Sequence, residues 1–161
     1  MAEIEFSKES LSKSEKYQEL ITQVPALLDP GVDWVANAAN LSAALKEVFG
    51  WLWVGFYRKV SEERLQLGPS QGPVACTFIH NGKGVCGTVW KEEKALIVAN
   101  VDDFPGHIAC SSKSKSEIVL PVYKDSQFWG VLDADSENLN EFSLVDLDNL
   151  KSLIQSFEKH L

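Results

Sequence analysis

Three cysteines are the residues best suited to chemistry, and Cys110 is the most suggestive of them. It lies in the polar, glycine-containing stretch Gly106-His107-Ile108-Ala109-Cys110-Ser111-Ser112, which precedes an apolar, strand-like run. We therefore predict that Cys110 lies on a loop that leads into a sheet, where a thiol can meet solvent and a ligand. Such a thiol could attack an electrophilic sulfur, become a sulfenic acid and then form a disulfide with a second cysteine. Cys76 and Cys86 are its two candidate partners.

The spacing of the cysteines and histidines argues against a structural metal site. Nine residues separate Cys76 from Cys86 and twenty-three separate Cys86 from Cys110, there is no Cys-x-x-Cys, and no histidine has zinc-ligand spacing. Each cysteine taken singly could be buried and inert. All three lie in glycine-bearing segments that we predict to be loops, which favours a reactive role. His107 could activate Cys110 as a base or serve only as a hydrogen-bonding group, and both interpretations stay open.

Three carboxylates are predicted near the cysteine loop. Asp133 and Asp135 are two residues apart at the end of a predicted strand, so they point to one face, about 6.5 Å apart. Glu117 opens a neighbouring predicted strand. Each acid taken alone could simply lie where its strand ends and the chain emerges into solvent. Together they predict a shared pocket in which a protonated carboxyl could supply a proton to a departing oxygen.

The predicted strand 51–60 carries an aromatic face. Strict alternation places Trp51, Trp53, Gly55 and Tyr57 on one side of it. Ordinary core packing would explain these aromatic side chains. An aromatic wall facing carboxylates also suits a small cation with a methyl or thioether group, so Trp53 and Tyr57 predict an amino-acid-sized ligand.

The elements that must position these residues are readable from periodicity. Helices are predicted over 7–28, over 33–49, in a short stretch that begins near Gly87, and after Ser143. Strands are predicted at 51–60, 64–67, 95–99, 117–123 and 128–135. We expect an α+β fold with an antiparallel sheet covered by helices on one face. Residues 1–30 are predicted to be a helical segment of the same domain as residues 31–161.

Composition excludes several classes of function. A chain of 161 residues with 45% hydrophobic composition fits one domain, and a net charge of −8 disfavours nucleic acid and anionic membranes as partners. The chain shows neither a signal-peptide pattern nor an apolar run of about 20 residues, so we predict a cytoplasmic protein. In that compartment structural disulfides are disfavoured, whereas a transient catalytic one remains open.

Several segments of the chain resemble the free methionine-(R)-sulfoxide reductases, which are built on the GAF domain. The resemblance extends from about residue 30 to the end, and all three cysteines fall within its motifs. The segments that carry it are Trp53-Val54-Gly55-Phe56-Tyr57, Leu67-Gly68-Pro69 with Gln71-Gly72, Ala75-Cys76, Gly84-Val85-Cys86-Gly87-Thr88, Gly106-His107-Ile108-Ala109-Cys110, Ser116-Glu117-Ile118-Val119-Leu120-Pro121 and Gly130-Val131-Leu132-Asp133-Ala134-Asp135-Ser136.

This resemblance implies a single GAF domain with a sheet of about six antiparallel strands, no prosthetic group, and a disulfide cycle regenerated by thioredoxin. The implied reaction is reduction of the R epimer of free methionine sulfoxide, and homodimers are also implied. Cys110 would be the nucleophile and Cys76 the favoured resolving cysteine, with Cys86 as the alternative. Carried over in the same way, Trp53 and Tyr57 would surround the substrate methyl group, and Glu117, Asp133 and Asp135 would hold the amino group and the sulfoxide oxygen.

Two alternatives share this fold. A non-catalytic GAF module could sense a small metabolite, with cysteine oxidation as its signal, or could serve only for dimerisation. The first would bind a ligand without turnover, and the second would tolerate the loss of all three cysteines.

Overall fold

Helices and strands alternate irregularly along the chain. The computed structural model describes residue 6, residues 10–108 and residues 110–161. Within these residues the helices are α1 (Lys13–Leu27), α2 (Trp34–Phe49), α3 (Gly84–Glu92) and α4 (Leu144–Glu158), with a 3-10 turn at Val101–Asp103. The strands are β1 (Trp53–Lys59), β2 (Arg64–Gln71), β3 (Phe78–His80), β4 (Leu96–Val98), β5 (Ser116–Lys124) and β6 (Gln127–Ser136). No helix in this part of the chain is long and apolar enough to cross a membrane.

The strands form one six-stranded sheet in the order β3-β2-β1-β6-β5-β4. All pairings are antiparallel, which confirms the predicted α+β fold with an antiparallel sheet. The long strands β1, β6 and β5 lie side by side at its centre. Side chains alternate between the two faces along each of them, so every second residue of these three strands meets on a common face.

Helices α1, α2 and α4 cover one face of the sheet. Asp33 caps the start of α2 by accepting a hydrogen bond from the Val35 amide, and Gly50 ends it in the left-handed conformation at φ 69°. Ser143 and Asp146 form a capping box at the start of α4. The apolar stripes of these helices bury one continuous core against the sheet, which includes Leu20, Leu41, Phe56, Leu132 and Phe157.

Helix α3 packs on the opposite face, so the prediction that helices cover only one face is wrong. Its buried residues Val85, Val89 and Trp90 belong to a second core with Trp53 and Tyr57. The prediction failed because β1, β5 and β6 carry apolar side chains on both faces, and each face needs a cover. Gly84, at φ +63°, lets α3 begin three residues earlier than the predicted start near Gly87.

Two predicted strands have different bounds in the structure, and one strand was not predicted. Strand β2 continues through Gly68 and Pro69 to Gln71, because the β1–β2 register shifts there and leaves an extra residue on β2. A bulge of this kind accommodates a proline that cannot join the hydrogen-bond ladder. Strand β3 was not predicted, since three residues are too short for a periodic signal.

Strand β1 begins at Trp53, so the prediction that Trp51 shares the aromatic face is wrong. Trp51 stacks on Phe49 instead, with ring centroids 4.6 Å apart, and lies in the core under α1, α2 and α4. Helix α1 begins at Lys13 with Ser12 as its cap, so its predicted first turns lie before the helix, partly outside the described residues.

Candidate active site

The candidate site lies on the α3 face of the sheet, where β1, β6 and β5 meet. Trp53 pairs with Asp135, and Asp135 pairs with Glu117, so one row of the sheet runs across all three strands. In the next row Asp133 pairs with Gly55. Because alternate residues share a face, the three acids and the two aromatic residues predicted from the sequence lie on one side of adjacent strands.

Gly55 makes room for the aromatic wall of the site. A Cβ atom at this position would lie 2.4 Å from Ser70 Cβ and 2.7 Å from Trp53 Cη2. No side chain fits there, so the Trp53 ring can approach the backbone of Gly55 closely. Trp53 and Tyr57 are in ring contact, with centroids 5.8 Å apart and planes tilted by 30°. The Tyr57 hydroxyl also donates a hydrogen bond of 2.9 Å to the carbonyl oxygen of Cys76, which joins this wall to the cysteine.

The three acids are withdrawn from water. Glu117 and Asp133 are each only 6% exposed, so the alternative that the strand simply emerges into solvent here is wrong. Burial, followed by repulsion from the neighbouring carboxylates, raises the pKa of both groups well above the ordinary range. Among the described residues, Asp133 Oδ1 is buried without a hydrogen-bond partner.

Asp135 has a milder environment. Burial raises its pKa to about 6, and a hydrogen bond donated by the Ser114 hydroxyl lowers it in part. Sequence reasoning missed Ser114, since a serine in a polar loop carries no distinctive signal. The position of Ser114 depends on the backbone of the loop before β5. In that loop the Lys115 amide donates a hydrogen bond to the Ser136 carbonyl oxygen.

Cys110 and Cys76 form a disulfide, with their Cα atoms 5.5 Å apart. Cys110 is exposed and Cys76 half-buried, so the bond lies at the mouth of the site. It joins the loop before β5 to the segment between β2 and β3. The structure thus places the predicted nucleophile and one of its two candidate partners in a covalent pair.

Cys86, the other candidate partner, occupies a different environment. It lies inside α3 and is 4% exposed, so its predicted loop position is wrong. Its thiol donates a hydrogen bond to Glu117 Oε1, with 4.0 Å between Sγ and that oxygen, and a carboxylate oxygen of Asp133 lies within 4.8 Å of the thiol sulfur. Burial and the adjacent acids raise the pKa of the thiol well above its ordinary value. Cys86, Glu117 and Asp133 are the described residues whose donor atoms lie close enough together to share a metal ion.

His107 faces the acids. Its Nε2 lies 3.8 Å from Glu117 Oε2, and burial lowers the pKa of the imidazole. A concavity of about 610 Å³, part of it open solvent, joins all of these groups. It is lined by seven of the eight predicted site residues, all except Cys76, and by further residues that the sequence analysis did not select, among them Val74, Lys83, Ile108 and Ser114. These residues can be identified only from the fold, because they come from three separate segments of the chain.

Comparison with known proteins identifies the family. Residues 33–161 match the GAF domain family. The GAF domain-containing protein A of Dictyostelium discoideum is 53% identical over 156 residues, which cover 96% of this chain and 98% of that protein. The free methionine-R-sulfoxide reductase of Saccharomyces cerevisiae is 40% identical over 93% of this chain and 88% of that protein. The X-ray structure of free methionine-R-sulfoxide reductase from Neisseria meningitidis, in complex with its substrate, has a TM-score of 0.93 at 45% identity and covers 98% of this chain and 95% of that one. The chain therefore belongs to the GAF domain family and, within it, to the free methionine-R-sulfoxide reductases.

Proposed function

We propose that this protein reduces free methionine-(R)-sulfoxide to methionine with a cysteine nucleophile and a disulfide cycle. The observation that carries the proposal is the Cys76–Cys110 disulfide at the mouth of a pocket whose floor holds two buried acids. Relatives named for this activity cover nearly the whole chain, which supports the same substrate class here.

The shape and charge of the pocket suit this substrate. The ammonium group would contact the carboxylates, and Asp133 Oδ1 offers it a free acceptor. The methyl and thioether groups would pack on Trp53 and Tyr57, because sulfur and polarised methyl groups interact favourably with aromatic rings. A peptide-bound methionine lacks the free ammonium group, so the acids would favour the free amino acid.

A buried carboxyl would assist the departure of oxygen. Burial raises the pKa of Glu117 and of Asp133, which favours the form in which one of them carries a proton. That proton would be donated to the sulfoxide oxygen as the Cys110 thiolate attacks the sulfoxide sulfur. The oxygen then passes to Cys110 as a sulfenic acid, and methionine leaves. The sulfoxide gains two electrons and Cys110 loses two.

Cys76 would complete the first half of the cycle. Its thiol attacks Cys110 Sγ, a disulfide forms, and the sulfenic oxygen leaves as water. The Cα separation of 5.5 Å supports this pairing, because it lies within the usual range for a disulfide. Cys86 is a poorer candidate, since burial among acids raises its thiol pKa and suppresses the reactive thiolate.

Thioredoxin is the proposed reductant. Its dithiol would attack the Cys76–Cys110 bond from the side of the exposed Cys110, reduce it to two thiols and become a disulfide itself. The cycle requires no prosthetic group and needs a reducing compartment, so a cytoplasmic location is part of the proposal.

Turnover of the separate epimers tests the proposal. The protein is supplied with free methionine-(R)-sulfoxide or its S epimer, and thioredoxin-dependent oxidation of NADPH is followed. We expect turnover with the R epimer alone and none with Cys110→Ser. Peptide mass spectrometry after one equivalent of substrate should find Cys76 linked to Cys110, and a link from Cys86 to Cys110 would contradict the assigned roles. Tight binding without turnover would instead identify a sensor.

A further inference from the structure

The Cys86 thiol has no part in the proposed disulfide cycle, yet it lies among the acids of the pocket. It is 4% exposed and has Glu117 and Asp133 as neighbours, and both of these are 6% exposed. A thiol packed against two carboxyl groups gains little from apolar burial. The unpartnered Asp133 Oδ1, which lines the same concavity, is the second sign that this cluster is built to receive a positively charged group.

The donor atoms are close enough to bind a single ion. One ligand atom each from Cys86, Glu117 and Asp133 lies within 4.8 Å of the other two. Around a tetrahedral zinc ion, with bonds of about 2.0–2.3 Å, ligand atoms are separated by roughly 3.3–3.8 Å. Small side-chain rotations would therefore bring the three donors into the coordination sphere of one ion.

His107 can complete the set from the loop above the sheet. Its Nε2 lies 3.8 Å from Glu117 Oε2, and its side chain is only 15% exposed. An imidazole nitrogen is a common zinc ligand, and this one lies beside the carboxylate of the cluster. The four donors come from α3, from the loop before β5, from β5 and from β6. Their sequence spacing therefore gave no metal signal.

We propose that Cys86, Glu117, Asp133 and His107 bind a divalent cation of borderline softness, with Zn²⁺ as the prime case, inside the substrate pocket. Thiolate and imidazole donors favour Zn²⁺ over Mg²⁺ and Ca²⁺, which take oxygen ligands. The ion would occupy the place of the substrate ammonium group. Its functional consequence, which rests on the proposed function, is reversible inhibition that competes with methionine sulfoxide.

Binding is measured on the disulfide form, in which Cys86 is the one cysteine left as a thiol. Calorimetric titration with Zn²⁺ should give one site per chain and no comparable response to Mg²⁺. Titration with Co²⁺ should give a thiolate-to-cobalt charge-transfer band in the near ultraviolet. Cys86→Ser should lose that band and weaken Zn²⁺ binding by more than about tenfold.

Two further variants serve as a second ligand substitution and as a control. Glu117→Gln removes a second proposed metal-binding group and replaces Cys86→Ser in the test if that variant fails to fold. Circular dichroism checks that each variant is folded. His80→Gln removes an exposed histidine and should leave binding intact. The proposal would be overturned if Cys86→Ser and Glu117→Gln both bound Zn²⁺ as tightly as the wild-type protein. A Co²⁺ complex without the charge-transfer band, or loss of Zn²⁺ binding in His80→Gln, would also overturn it. Zn²⁺ binding in a protein that reduces neither epimer would refute the reductase function alone, and reductase activity without Zn²⁺ binding would refute the metal site alone.

Discussion

Asp135→Asn should stabilise the protein at neutral pH, because Asp135 is an acid that folding forces out of water. Burial raises its pKa from 3.8 to about 6, and one pKa unit corresponds to about 1.4 kcal/mol. The ionised side chain therefore lowers the free energy of unfolding by about 3 kcal/mol at pH 7. Asparagine carries no charge and can still accept the hydrogen bond from Ser114. We expect a gain approaching that value, which corresponds to roughly 6–12 °C in Tm.

The sign of the pH dependence makes the prediction specific. Below pH 3.8 Asp135 is protonated in the folded and the unfolded chain, so its charge costs nothing. Between pH 3.8 and about 6 the unfolded chain loses this proton first, and the wild-type protein loses stability as pH rises. The advantage of Asp135→Asn should therefore be less than about 1 kcal/mol at pH 4 and nearly complete at pH 7.

Urea unfolding of the oxidised protein at pH 4, 5, 6 and 7 measures this difference, with the disulfide intact in every sample. Asp148→Asn is the matched control, because Asp148 is exposed on α4. Its effect on the free energy of unfolding should not change over this range. A constant difference between Asp135→Asn and wild type, or a less stable variant at pH 7, would refute the account of the buried acids.

Three smaller changes examine the parts around the acids. Gly55→Ala should lower the free energy of unfolding by about 1–3 kcal/mol and raise the KM for substrate. The reason is that the added Cβ would lie 2.4 Å from Ser70 Cβ and displace Trp53. An unchanged urea denaturation curve and an unchanged KM would contradict the close packing at Gly55. Tyr57→Phe removes the 2.9 Å hydrogen bond to the Cys76 carbonyl and should lower stability by about 1 kcal/mol and slow disulfide formation, as measured by thiol loss after one equivalent of substrate. Equal rates in both proteins would show that Cys76 needs no such anchor. Ser114→Ala should raise the pKa of Asp135 above about 6, since the lost hydrogen bond favoured the charged form, and a carbon NMR titration that finds it unchanged or lower would contradict the assignment.

The stability cost of the acids explains why they mark a functional site. Glu117 and Asp133 bring two acidic groups into a region that α3 shields from water. Replacement of such groups by neutral side chains commonly stabilises a protein and reduces its activity. Their burial is therefore better explained by a ligand with a positive charge and an acceptor oxygen than by packing.

The chain by itself determined the fold class and most of the site. Alternation put Trp53 and Tyr57 on one face of β1, and Asp133 and Asp135 on one face of β6, because a strand has a strict period of two. Helix α2 was predicted with both ends correct, since Asp33 and Gly50 are local signals that need no tertiary context.

Tertiary structure alone decided what surrounds each cysteine. The choice between Cys76 and Cys86 as the partner of Cys110 depends on the path of the β2–β3 connection and on the placement of α3, which no local periodicity encodes. The burial of Glu117 and Asp133, and with it their high pKa values, depends on α3 covering the second face of the sheet. The contacts of Ser114 and His107 likewise arise from loop backbone, because polar loop residues carry no pattern from which a partner can be predicted.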